Sequence, residues 1–285
     1  PPWTLLHDQA RQRLEGVHVP LQGELCEVVH LRWAGTREEY LIKPRLYILS
    51  IGVGDYSDPL QPLKYPAKDA RDLAGAFLPQ HGVFYRDVVM KLFLDSEATR
   101  EHILSGLDWI RKETTQNDVA IVLLAGHGIN EPRNGDYYFV PYNGDIAKPE
   151  ISLIAGRQIV SSLSGMAGKV LVFLDPCHAG NVTSSNRTRG NTDVSGFISE
   201  LQNAGSALII FAAATGRQTS RENDAWQNGA FTKAVVEGLR GRAAYHAGRP
   251  VTVQMLNLYV SERVKELTAG AQTPILVTTN KLADF

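Results

Sequence analysis

The chain has 285 residues, 44% of them hydrophobic, enough to bury a full core. Its 29 Lys and Arg balance 30 Asp and Glu, and a net charge of -1 supplies no field to draw nucleic acid or an anionic membrane. Two cysteines, Cys26 and Cys177, exclude a disulfide framework and any C-x-x-C metal site, and no apolar run reaches the roughly 18 residues needed to span a bilayer.

These features favour a reducing, cytoplasmic setting, and a chain that opens on Pro1 rather than Met suggests an excised or processed piece. Segments 25–33 and 39–42 read as strands around Ala-Gly-Thr, a small β hairpin in an N-terminal extension over 1–44. A larger domain is expected over 45–285. Residues 46–53, 119–125, 170–174 and 207–212 are short runs of Val, Ile and Leu without polar alternation, the pattern of strands covered on both faces. Pro66 opens a helix running to about residue 78, and Thr99 caps one that carries Ile103, Leu107 and Ile110 on a face. Stretches 194–201 and 231–239 hold further apolar stripes, and a helix over 253–267 precedes a short strand over 274–278. Strands alternating with helices imply right-handed crossovers and an open α/β/α sandwich with a mostly parallel central sheet. The polar stretch 183–192 is expected to be a loop.

In such sheets ligands bind beyond the carboxyl ends of the strands. Two ends carry reactive groups: Gly126-His127-Gly128 after the second apolar run, and Asp175-Pro176-Cys177-His178-Ala179-Gly180 after the third. A thiol and an imidazole on one sheet edge are the pair that covalent acyl transfer needs, the thiolate attacking and the imidazole moving protons. The bland alternative is a buried core thiol beside a satisfied loop histidine. The glycines favour chemistry: Gly128 lets backbone approach a substrate carbonyl, and Gly180 permits a tight exit from the strand. His178 adjoins the thiol, but neighbouring residues on a strand point to opposite faces, so a structural role is expected for it.

Ala-Gly-His127-Gly and Phe-Leu-Asp175-Pro-Cys177-His-Ala-Gly resemble the two signature blocks of the caspase-like peptidases, in the metacaspase and bacterial orthocaspase branch. The histidine lies about 50 residues upstream of the cysteine, as in caspases, although the animal-caspase block Gln-Ala-Cys is absent. Ile-Gly-Val-Gly-Asp-Tyr around Gly52, Leu-Lys-Tyr-Pro-Ala-Lys-Asp69-Ala, Asn228-Gly-Ala-Phe-Thr232 and Gly238-Leu-Arg-Gly241 extend the likeness from about Arg45 to the C-terminus. The resemblance implies Cys177 as nucleophile, His127 as base, and the amides of Gly128 and Cys177 as an oxyanion hole. It also implies Asp69 and Asp175 as the floor of an S1 pocket that takes Arg or Lys, where animal caspases use arginines to select aspartate. A second reading of Asp69 is a helix N-terminal carboxylate favoured by the macrodipole, and both can hold. Trp226 and Asp224 are candidates for the substrate groove, or for packing alone. Arg187 and Arg189 are candidate self-processing sites, since an acidic pocket would accept them. Implied partners are protein or peptide substrates and a regulatory domain or activator protein.

Pro176 replaces the family's usual Thr or Ser but leaves the Cys177 amide in place. Ala125 stands where metacaspases often carry Ser, removing one polar contact to substrate. The stretch after His127 offers only Glu131, Asp136 and Asp145, too sparse for the six or more oxygens calcium needs, so neither metal nor other cofactor is expected. Two rival readings meet obstacles in the sequence. A catalytically silent module on the same fold would have lost one of Cys177, His127, Asp69 or Asp175. A nucleotide-binding reading of Gly52-Val53-Gly54 lacks the third glycine and meets Asp55 and Tyr56 where a helix should open.

Overall fold

In the computed structural model, which describes residues 29–30, 43–57, 60, 62–178, 193–204, 207–214, 220–246 and 250–279, the four apolar runs form the middle of one sheet. In chain order the elements are β1 (Val29–His30), β2 (Leu46–Gly52), α1 (Pro66–Phe77), β3 (Val88–Leu94), α2 (Arg100–Glu113), β4 (Val119–Asn130) and β5 (Tyr137–Phe139). There follow α3 (Pro149–Ser152), β6 (Ile154–Ala155), α4 (Gly156–Ser164), β7 (Lys169–His178), α5 (Ser195–Asn203) and β8 (Leu208–Ala212). The chain continues through β9 (Glu222–Asn223), β10 (Asn228–Gly229), α6 (Ala230–Glu237), a π turn (Gly238–Arg242), α7 (Val253–Leu267) and β11 (Ile275–Thr278). The strand order β1-β3-β2-β4-β7-β8-β11 keeps β3, β2, β4, β7 and β8 parallel, while β1 and β11 run antiparallel at the edges.

Strand alternation divides the core between the two faces. Leu49, Ile51, Val122, Leu124, Val172 and Leu174 pack with α2, α4 and α5, through Ile103, Leu107, Ile159, Leu163, Phe197 and Leu201. Leu46, Ile48, Ile121, Leu123, Leu171 and Phe173 pack with α1, α6 and α7, through Leu73, Phe77, Phe231, Val235, Leu256 and Val260. The expected sandwich is therefore the observed one. Pro66 occupies the first turn of α1, and the Thr99 side chain accepts a hydrogen bond from the His102 amide at 3.2 Å, the cap expected of it.

Two expected boundaries need correction. The second and third runs do not end before their reactive residues: β4 continues to Asn130 and β7 to His178. The extension has a cause in hydrogen bonding, because β5 pairs with Gly128–Asn130 and the β4–β7 ladder runs on through Gly128 and His178. His127 and Cys177 thus sit in strands, not in loops after them. Strand β3 and helix α4 were not expected. Of the N-terminal hairpin only Val29–His30 falls among the described residues, and its backbone pairs with β3. No helix among the described residues is long and apolar enough to cross a membrane.

Candidate active site

The β4–β7 ladder sets Ala125 opposite Asp175, Gly126 opposite Pro176, and His127 opposite Cys177. Adjacent strands lie about 4.8 Å apart, so the main chains of the histidine and the cysteine are next-door neighbours. The parity of the ladder follows from Lys169 N donating to Asp118 O at 3.2 Å, which turns the main-chain groups of Asp175 and Cys177 toward β4. Those of Leu174 and Pro176 face the other way, where Leu174 O still accepts from Ala213 N at 2.8 Å but β8 pairs no further. The proline therefore omits a donor on the side where the ladder has stopped. The same parity aims the amides of Cys177 and Gly128 into the β4–β7 ladder, so an oxyanion site built from them requires β4 and β7 to part at this end. The Gly128 side-chain space is not open to substrate either: a Cβ there would lie 2.6 Å from the Tyr137 ring, which stacks on Phe197.

His127 is only 1% exposed. Its carbonyl accepts from Val140 N at 2.9 Å, and its amide donates to the Tyr56 hydroxyl at 2.7 Å. The Tyr56 ring lies over the imidazole with centroids 5.0 Å apart and planes 24° from parallel. Sequence reasoning passed over Tyr56 except as part of a motif.

Asp175 and Asp69 come together from β7 and the first turn of α1. Both are 3% exposed. Asp175 Oδ1 accepts from Ser220 Oγ at 2.6 Å and Oδ2 from Thr232 Oγ1 at 2.9 Å. Asp69 Oδ1 accepts from Asn228 Nδ2 at 2.8 Å, and the Gly229 amide reaches both Asp69 oxygens, at 3.2 and 3.1 Å. Asn228 also donates to Asp72 Oδ2 at 2.8 Å and accepts from Lys68 Nζ at 3.3 Å, which ties β10 to α1. Burial, and then the charge of Asp175, push Asp69 well above the usual carboxylate range against the pull of Asn228 and Gly229. Burial raises Asp175 as well, opposed by the Ser220 and Thr232 hydroxyls. Two like charges in a poorly solvated site favour a bound proton or a cation, and a guanidinium is the cation shaped for two carboxylates.

Beside them a cleft of about 370 Å³ is lined by Lys64, Tyr65, Glu222, Asn223 and Asp224. Glu222 stands in register with Gly229 in the β9–β10 hairpin and accepts from the amides of Lys64 at 3.1 Å and Tyr65 at 3.4 Å. Burial raises its carboxyl. Asp224 holds Lys64 Nζ at 2.6 Å and accepts a hydrogen bond from the Tyr65 hydroxyl, an exposed pairing that shapes the rim more than it stabilises the fold. Trp226, in the turn of the same hairpin, does not line this cleft; its indole N–H is buried without a hydrogen-bond partner among the described residues. Glu131, Asp136 and Asp145 are engaged separately with Arg133, Arg157 and Lys148, and no group of three metal-ligating side chains forms among the described residues. Arg187, Arg189 and Gly180 lie outside the described residues.

A family model for the caspase domain matches residues 45–285. Among solved structures, the crystal structure of protein GSU0716 from Geobacter sulfurreducens is similar in fold, with a TM-score of 0.61 at 16% identity, covering 84% of this chain and 95% of that chain. No curated protein matches the chain.

Proposed function

From a chain that belongs to the caspase-domain family, a family of the cysteine-peptidase type, we propose a cysteine endopeptidase that cuts protein substrates after Arg or Lys. One observation carries the specificity: two buried carboxylates converge on Gly229, beside the strand ends where His127 and Cys177 share a register. A basic side chain entering there would take the place of the proton that burial favours on the pair, and Arg would bond both acids at once.

In the proposed reaction the Cys177 thiolate adds to the scissile carbonyl, and His127 delivers a proton to the departing amine as the C–N bond breaks. The thioester that remains is cleaved by water, with His127 taking the water's proton, which returns the thiol and frees the new carboxyl group. Self-cleavage after Arg187 or Arg189 is part of the proposal, because those residues match the expected selectivity. So is the division into an extension over 1–44 and a peptidase domain from 45 onward.

A fluorogenic peptide panel varying the residue before the cut, run on wild type and Cys177→Ala, tests the proposal. The expected outcome is thiol-dependent cleavage after Arg and Lys and none after Asp or Ala. Absence of any such cleavage, with and without calcium, would leave a binding module on the same fold. Side-by-side incubation of the two proteins tests self-processing, which an intact wild-type chain would refute.

A further inference from the structure

Strand β2 leaves the sheet at the point where β4 reaches its histidine. The last direct rung is Val53 N donating to Ala125 O at 2.9 Å. Parallel pairing would make the next rung His127 N to Val53 O. Instead the Tyr56 hydroxyl stands between them, accepting from His127 N at 2.7 Å and donating to Val53 O at 3.0 Å. Two bonds in series replace one of about 2.9 Å, so His127 is held off β2 by the width of an oxygen atom.

The surrounding residues fit this wedge. Gly126 has φ +151°, and a Cβ there would come within 3.1 Å of the hydroxyl, so the inserted oxygen needs the glycine. Asp95, itself at φ 47°, accepts from the amides of Gly54 at 2.9 Å and Asp55 at 3.2 Å. Ser57 donates its amide to Tyr142 O at 2.9 Å, so the short loop carrying Tyr56 is fastened on both sides. The ring of the same tyrosine covers one imidazole face. One side chain thus fixes both the main chain and the ring of the proposed base.

We propose that Tyr56 is the positioning residue of His127, an inference that rests on the peptidase reading and adds to it a residue that reading does not use. The hydroxyl sets where the base stands and the ring sets how its plane lies. Misplacement of about 1 Å is enough to cost about a hundredfold in rate.

The test uses the full chain in a Cys26→Ser background, which leaves Cys177 as the sole thiol. Tyr56→Phe keeps the ring and removes the wedge, whereas Tyr56→Leu removes both. On an arginyl fluorogenic peptide kcat is expected to fall about tenfold and about a hundredfold respectively, with KM within about twofold of wild type. Alkylation of Cys177 by iodoacetamide should slow in the same order. Wild-type kcat in a folded Tyr56→Leu, or a change confined to KM, overturns the inference; if that variant does not fold, wild-type kcat in Tyr56→Phe does so. Failure of the peptidase reading registers separately, as no Cys177-dependent cleavage by the parent protein. In that event unchanged alkylation rates across the Tyr56 variants overturn the inference and slowed rates uphold the positioning.

Discussion

Asp69 and Asp175 meet at a residue with no side chain: a Cβ on Gly229 would lie 3.2 Å from Asp69 Oδ2 and 3.0 Å from Asp175 Oδ2. The glycine's own backbone is ordinary, with φ -63° and ψ 142°. Space, not conformation, is what the glycine supplies.

Gly229→Ala is therefore expected to fold with a stability within about 1 kcal/mol of wild type, since alanine adopts those angles without strain. Its methyl group would press on the acids and fill the place of the incoming cation. Cleavage of arginyl peptides should drop about a hundredfold in kcat/KM, about 2.7 kcal/mol. Thermal melts beside steady-state kinetics check both halves.

The upward shift of the Asp69 carboxyl makes stability depend on pH with a definite sign. Asp69 is raised above its usual value of 3.8 in the folded chain. From that value upward the native state binds the extra proton, so stability falls as pH rises until the folded carboxyl ionises. The slope is about 1.4 kcal/mol for each pH unit in that window. Asp69→Asn has no proton to lose. Its melting temperature should decline less between about pH 4 and pH 8 than that of wild type, and its stability at neutral pH should be the higher of the two.

Substrate affinity should run the opposite way. A guanidinium binds the ionised pair, so at low pH binding must first expel a proton, and KM for an arginyl substrate should fall as pH rises, by up to about tenfold per unit. Thr232→Val deletes the hydroxyl that donates to Asp175 Oδ2 at 2.9 Å and should move this fall to higher pH. KM measured across pH at constant ionic strength decides. A flat profile in wild type would remove the acids from substrate binding.

Gly52 serves the fold itself. A Cβ there would lie 2.2 Å from the Pro66 carbonyl oxygen, at the N-terminus of α1, and backbone cannot step aside as a side-chain tip can. Gly52→Ala should destabilise by about 3 kcal/mol and loosen α1 with Asp69 on it. A urea midpoint well below that of wild type is the expected result.

The central strands were legible because their residues are apolar on both faces, and the helix that Thr99 caps because its capping residue and its stripe agree. Strand β3 escaped notice because it is only half covered, with Lys91 at its centre and just β1 beyond it. Helix α4 has Ala155 at its N-cap, a residue with no capping side chain to announce it; its cap bond comes from within, Gln158 Oε1 accepting from Ala155 N at 3.1 Å. At the site, residues that follow an apolar run could be found from the run. Ser220 and Glu222 could not, and Asn228 and Thr232 showed only as part of a motif, since their partners lie far away in sequence, as the 159 positions that separate Asn228 from Asp69 illustrate. Pairing of that kind is created by the fold. Tyr56 left a faint trace: an aromatic residue in a Gly-rich turn directly after a buried strand.

Beyond Leu174 strand β7 is a cantilever. Its final residues, Asp175 to His178, are laddered to β4 but have outrun β8, so among the described residues the length of chain that carries an acid and the thiol is laddered along a single flank. On the peptidase reading, parting that one ladder is the movement an oxyanion site from Cys177 and Gly128 needs, and it would free this length of β7 while β8 and the rest of the sheet stay paired.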